Sequence, residues 1–243
     1  HSEVYLVDGS GHIQQQLSHN TTKSSTIQLN HWMFWPKVGS DGDTFYVSYD
    51  APKSIQSYEI EFAVWKGSLS GTLTQKQQTD PFGYTGGDVE VVPLSNGDLL
   101  YGKYNINNGN VFSRLAIQTK PLADPVYLTD ATSDCAQPAV SPDGTEVAMV
   151  CTNGTGLQST TLQVASLQGT TLGTPKTLVS NCLCSAPSWA PDGSGLTYFA
   201  PADATGHFQL WWIAGAAGSA PKAPQQVTTD LDFDATSPPA WTR

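Results

Sequence analysis

Two stretches decide the fold: QPAVSPDGTEVAMV, from Gln137 to Val150, and APSWAPDGSGLTYFA, from Ala186 to Ala200. Each is an apolar run, a Pro-Asp-Gly turn and a second apolar run. In such a turn proline presets φ, aspartate accepts bonds from nearby backbone N–H groups, and glycine takes the positive φ that other residues resist. The run that follows each turn is short and rich in β-branched and aromatic residues, so it reads as a strand.

The same phrase recurs outward from these two copies. A third begins at Ser237 as SPPAWTR, and weaker copies are HWMFWPKVGSDGDTFYVSY from His31 and VEVVPLSNGDLLYGKY from Val89. WPKVGSDG reads as carrying two extra residues in its turn, and PLSNG sets Ser-Asn where the strong copies have Pro-Asp. The turn glycines Gly42, Gly97, Gly144 and Gly193 lie 55, 47 and 49 residues apart. A second phrase precedes each new copy: QQLSHN from Gln15, QKQQTD from Gln75, VYLTD from Val126, KTLVSN from Lys176 and QQVTTD from Gln225. Between the two phrases lie alternating segments such as Ile60-Phe62-Val64 and Leu210-Trp212-Ala214. Each unit therefore reads as four short antiparallel strands.

A lone four-stranded meander cannot cover both of its faces, so neighbouring units must. Four strands in roughly 45–50 residues is the size of one β-propeller blade. The A-x-S-P-D-G turn with its following strand, and the blade-end Leu-Thr-Asp or Val-Thr-Thr-Asp, resemble the TolB-like propeller repeats, relatives of the WD repeats. The resemblance spans nearly the whole chain and is sharpest at 137–150 and 186–200. The expected fold is all-β: one propeller domain over 1–243, with blades at about 31–80, 84–130, 134–181 and 185–230. A fifth, closing blade would be shared by the termini, combining 238–243 with 3–18, and would lack a second strand. A fragment of a six-bladed parent is the alternative.

Composition agrees. Charged residues are 13% of the 243, and 22 glycines and 16 prolines leave little room for long surface helices. Seven Trp, nine Tyr and eight Phe give enough apolar surface to fold. No window approaches the ~18 apolar residues of a membrane helix. The formal charge is −10, and the 11 basic residues are scattered from Lys23 to Arg243, which argues against nucleic-acid or anionic-lipid partners. The 21 acids comprise 16 Asp and five Glu, a bias that places the charge in turns.

Cys135, Cys151, Cys182 and Cys184 fall within one short stretch, in spacings that fit disulfides better than zinc. An extracytoplasmic location is expected, periplasmic, secreted or at the cell surface. The opening His1-Ser2-Glu3 is not a signal peptide, which suggests a cleaved leader or an excised domain. In the blade scheme all four cysteines share one rim, and Cys135–Cys184 with Cys151–Cys182 is favoured among the three connectivities.

In a propeller the first strand of each blade lines the central channel. The candidate ligand residues at its mouth are therefore His31, Trp32, Asp88, Glu90, Asp134, Gln137 and Asp234. The competing reading is that the acids and serines there simply cap the turns between blades. Clustered acids at Asp230-Leu231-Asp232-Phe233-Asp234 and Asp41-Gly42-Asp43 match no calcium-loop pattern. No Gly-x-Ser-x-Gly elbow and no Ser/His/Asp or metal-binding spacing occurs, so no catalytic residue, metal or cofactor is assigned. The family resemblance implies a non-enzymatic module that binds a protein or peptide through the channel mouth or rim loops, as a monomeric domain of a larger protein. The alternatives are a carbohydrate-active hydrolase using channel carboxylates, and an accessory propeller of a protease or receptor kinase.

Overall fold

The computed structural model describes residues 1–20, 31–51, 60–70, 76–83, 85–152, 159–202 and 206–241. The described residues contain strands and turns but no helix. A hairpin comes first, β1 (Tyr5–Val7) with β2 (Ile13–Gln16). Two meanders follow: β3 (Trp32–Val38), β4 (Thr44–Asp50), β5 (Ala63–Ser68) and β6 (Lys76–Gln77), then β7 (Asp88–Pro93), β8 (Leu99–Asn107), β9 (Asn110–Gln118) and β10 (Val126–Tyr127). The next sheet is β11 (Cys135–Val140), β12 (Glu146–Thr152), β13 (Thr160–Gln168) and β14 (Thr171–Leu172), with β15 (Lys176–Cys182) also on the β13 edge. The last is β16 (Ser185–Trp189), β17 (Gly195–Pro201), β18 (Phe208–Ala214) and β19 (Gln225–Gln226).

Four of the five expected blades are therefore sheets, and the fifth is not. β1 and β2 form a separate two-stranded sheet, and 237–241 adopts no strand; Thr242 and Arg243 lie outside the described residues. The physical reason is the second strand. β4, β8, β12 and β17 each occupy a central place in their sheet, and no described strand takes that place beside the hairpin or beside 237–241.

The turns repeat atom for atom. The glycine N–H closes onto the carbonyl three residues earlier in Gly39–Gly42, Leu94–Gly97, Ser141–Gly144 and Ala190–Gly193, at 2.8–3.0 Å. The glycine φ lies between +70° and +90° in all four. Asp41, Asp143 and Asp192 accept the N–H two residues on, at 2.9–3.1 Å, and Asn96 does the same for Asp98. The extra residues expected in WPKVGSDG are absent from the turn, because Gly39 fills the place of Ser141. Pro36 belongs to the strand, as Pro138 does.

Each first strand also breaks register at one place, between Phe34 and Lys37, Val89 and Val92, Ala136 and Ala139, and Ser185 and Ser188. A non-glycine residue in the left-handed region sits in each gap: Trp35 (φ 53°), Glu90 (56°), Gln137 (55°) and Ala186 (49°). These are β-bulges, which bend the strand and redirect its side chains. In three of them the next residue is Pro36, Pro138 or Pro187, which has no N–H to lose from the ladder.

The blade-end phrase acts as a clasp. Val64 N–H donates to Thr79 Oγ1 (2.9 Å), Gln78 N–H to Val64 O (2.7 Å), and the Gln77 side-chain amide to Thr79 O (2.8 Å). Leu210, Val227, Gln226 and Thr228 repeat this set at 2.9, 2.8 and 2.7 Å. In the second sheet Leu115 N–H reaches Thr129 Oγ1 at 3.0 Å. There Arg114, its Cζ 3.8 Å from the Tyr127 ring centroid, donates from Nε to Thr129 O in place of the glutamine. The N-terminal hairpin carries the clasp too, through Val4, Gln16, Leu17 and Ser18. It reproduces the clasp of the outer two strands without the inner two.

Contacts group the chain into two compact units, His1–Phe112 with Ala116–Val126, and Ser113–Leu115 with Tyr127–Arg243. In the first, Val4 and Leu17 of the hairpin segment pack on Met33, Phe45, Val47 and Tyr49. In the second, Ala148, Val150, Leu162 and Val164 face Trp189, Leu196, Tyr198 and Ile213, and Trp189 Nε1 donates to Ala139 O at 3.0 Å. Met149 and Val147, on the opposite side of β12, are also fully buried. Both faces of that strand are covered, as the repeat requires.

Candidate functional site

In the first unit His31 precedes β3 and Trp32 opens it. Trp32 stands opposite Asp50, and its ring lies parallel to Phe34 at 6.3 Å, because residues two apart on a strand share a face. Beyond Phe34 the bulge turns Trp35 back toward the cluster. Phe34 then meets Trp35 at 5.5 Å and Phe62 at 5.7 Å, while Trp35 meets Phe62 edge-on at 5.8 Å. Phe62 is buried and supports the group, whereas Phe34 is 40% exposed. His31 Nδ1 is buried without a hydrogen-bond partner among the described residues. The sequence pointed to His31 and Trp32 but missed Phe34 and Phe62. The legible signal was the i, i+2 spacing of Trp32 and Phe34 just ahead of the bulge.

Asp88, at the start of β7, is wholly buried and paired with Lys103, whose Nζ lies 3.0 and 3.3 Å from its two oxygens and also donates to Asp80 O at 2.7 Å. Burial pushes the Asp88 carboxyl upward, and the Lys103 charge opposes that shift. Entry to β7 depends on Gly87 (φ 94°), where a Cβ would overlap the Phe62 backbone. Phe62 N–H donates to Gly86 O, and Asp88 N–H donates to Phe62 O. Glu90 occupies the β7 bulge, and its charge supports that of Lys37, whose pKa burial draws down.

In the second unit Asp134 Oδ1 accepts Ser113 N–H (2.7 Å) and Oγ (2.8 Å), and Oδ2 accepts Thr152 Oγ1 (2.9 Å). Gln137 Oε1 accepts Ala186 N–H at 2.9 Å, so the bulge of β11 is tied to the bulge of β16. Asp234 accepts Thr236 N–H and Oγ1 and Ser237 Oγ, bonds that hold its carboxyl below the usual range. Asp88, Asp134 and Asp234 are thus each engaged by a cation or by donors that fix the backbone. Among the described residues no three His, Cys, Asp or Glu side chains gather as metal ligands, and no helix is long and apolar enough to cross a membrane.

The disulfides differ from the favoured pairing. Cys135 bonds Cys151, and Cys182 bonds Cys184. Register explains the first bridge, since Cys135 and Cys151 are direct partners across β11 and β12. Linking them to the next blade would have required both side chains to leave that pairing. The same face of this sheet borders a cavity of about 370 Å³. Asp130, Thr132, Ser133, Met149 and Gln163 line it beside the Cys135–Cys151 bridge.

No family model matches the sequence, and no curated protein matches it. Solved structures do. A putative TolB from Agrobacterium tumefaciens is 15% identical with a TM-score of 0.61, the match covering 82% of this chain and 63% of that one. TolB from Acinetobacter baumannii is 16% identical with a TM-score of 0.60, covering 95% of this chain and 50% of that one. A puromycin-hydrolyzing peptidase from Mycobacterium tuberculosis is 15% identical with a TM-score of 0.52, covering 82% of this chain and 30% of that one. The chain spans less than two thirds of the length of each. At these identities the likeness is one of fold, and that fold is the TolB-like β-propeller arrangement.

Proposed function

We propose that this chain is a non-enzymatic, extracytoplasmic binding module that recognises a protein or peptide. The observation that carries the reading is the aromatic cluster of β3, Trp32, Phe34 and Trp35 on Phe62, with Phe34 open to solvent. Single exposed apolar residues are ordinary, but grouped aromatic side chains on a rigid strand are the usual anchors of protein recognition. In the reading His31 and Glu90 flank this surface and Asp88 frames it, whereas Asp134, Gln137 and Asp234 hold turns and bulges within the second unit. The engaged state of the three aspartates argues against the hydrolase alternative, which needs one carboxyl free as acid and another as base or nucleophile. Two disulfides, with no free cysteine among the described residues, support the extracytoplasmic location.

Selection of displayed peptides on the purified chain tests this reading. Trp32→Ala and Phe34→Ser are expected to weaken the selected peptides by roughly tenfold or more, as loss of an aromatic anchor does. Asp234→Lys, in an exposed turn, should leave them bound. Peptides that bind all three variants alike would remove β3 from the reading.

A further inference from the structure

We propose that Cys182 and Cys184 are a thiol–disulfide exchange site, in which Cys182 exchanges with a thiol of a partner molecule and Cys184 resolves the adduct. The bridge spans a single residue, Leu183. A loop that short removes little freedom from the unfolded chain, so the bond contributes little as a staple. The local fold is already held without it. Thr160 Oγ1 accepts Cys184 N–H at 2.9 Å and donates to Cys182 O at 2.9 Å, fixing both backbones from the neighbouring strand. The Cys135–Cys151 bridge is the opposite case: it joins two strands, and each cysteine is only 2% exposed.

Exposure within the short bridge is unequal. Cys184 is buried at 4%, Cys182 is partly open, and Leu183 between them is 46% exposed. Attack therefore comes at Cys182, the more open of the two residues. A partner thiolate forms a new S–S bond with Cys182 Sγ, the Cys182–Cys184 bond breaks, and the electron pair leaves on Cys184 Sγ, which takes a proton from water. A second thiolate of the partner then attacks its own sulfur in the mixed disulfide and releases Cys182. The partner dithiol is oxidised to a disulfide, and the Cys182–Cys184 pair gains the two electrons. In the reverse direction Cys182 is the nucleophile. Thr160 Oγ1, 3.8 Å from its sulfur, is the hydroxyl placed to turn and donate to that thiolate.

The test uses the full chain equilibrated in glutathione buffers of stepped redox poise, with differential alkylation and mass spectrometry of each cysteine. Cys182 and Cys184 are expected to open together at a poise where Cys135–Cys151 stays closed and tryptophan fluorescence stays native. A short bridge that remains closed until Cys135–Cys151 opens, or until the chain unfolds, overturns the proposal. Incubation of Cys184→Ser with oxidised glutathione should place the adduct on Cys182. Cys182→Ser should label Cys184 roughly tenfold less, as its burial dictates. Equal labelling would overturn the division of roles.

Discussion

The N–H of Val4 donates to the hydroxyl of Ser18 at 2.8 Å, the same bond that Val64 makes to Thr79 and Leu210 makes to Thr228. One side-chain oxygen thus ends the ladder between the two outer strands, in all three four-stranded sheets and again in the isolated hairpin. Where the outermost strand leaves the sheet, the inner strand still has an N–H to satisfy, and a buried donor without a partner is costly.

Thr79 is wholly buried, so Thr79→Val should remove this bond with little change of shape. A loss of about 1–3 kcal/mol is expected, with Thr79→Ser costing less. Denaturant midpoints read the difference, and amide exchange at Val64 should accelerate only in the valine variant.

Lys103→Met should be the more damaging change in the same unit, because it leaves the Asp88 carboxylate buried and unpaired. The expected cost is about 3–5 kcal/mol, and adding Asp88→Leu should recover much of it. Equal midpoints for the single and double variants would show that the pair does not act as a unit.

Gly87→Ala combines an unfavourable φ with overlap on the Phe62 backbone, while Gly97→Ala meets a similar φ in open space. The second should cost about 1–2 kcal/mol, and the first distinctly more. A smaller loss at Gly87 would mean that Phe62 and β7 can separate without penalty.

Acid should loosen three of the four turns. Asp41, Asp143 and Asp192 are held below their ordinary range, first by the Thr44, Ser141 and Ser194 side chains respectively. A carboxyl depressed in the folded state adds stability above its unfolded pKa of about 3.9, and that contribution is lost as pH falls through the lower folded value. Asn96 does not titrate. Amide protection, corrected for intrinsic rates, should therefore fall below about pH 4 at Gly42, Gly144 and Gly193 but persist at Gly97.

Opening Cys135–Cys151 by serine substitution should cost about 3 kcal/mol, whereas opening Cys182–Cys184 should cost under about 2, because chain-entropy stabilisation grows with loop length. Thermal unfolding of the two double variants measures both.

The turns and second strands were legible because Pro142-Asp143-Gly144 and Pro191-Asp192-Gly193 state their backbone conformation locally. WPKVGSDG is the less legible turn, because Pro36 belongs to the strand and not to the turn. Glycine and the carboxamide or carboxylate before it carry the geometry, which Asn96 and Gly39 show. Ser237–Trp241 repeats the words of a first strand but forms none, since strand identity there depends on a pairing partner rather than on composition. Cysteine pairing was hidden for a related reason. Sequence placed Cys135 and Cys151 on one rim, but only the register made them direct neighbours. Phe34 and Phe62 were passed over because their meeting depends on a bulge at Trp35 and on the chain returning past it.

The outer strands β6, β10 and β19 are each two residues long, and a threonine hydroxyl takes over where each of them stops. Little free ladder therefore remains on those three sheets on which a foreign chain could nucleate, whereas β15 presents seven residues beside β13. The consequence is colloidal: margins closed by threonine and glutamine, with Lys76 adding charge on β6, offer little to seed a fibril.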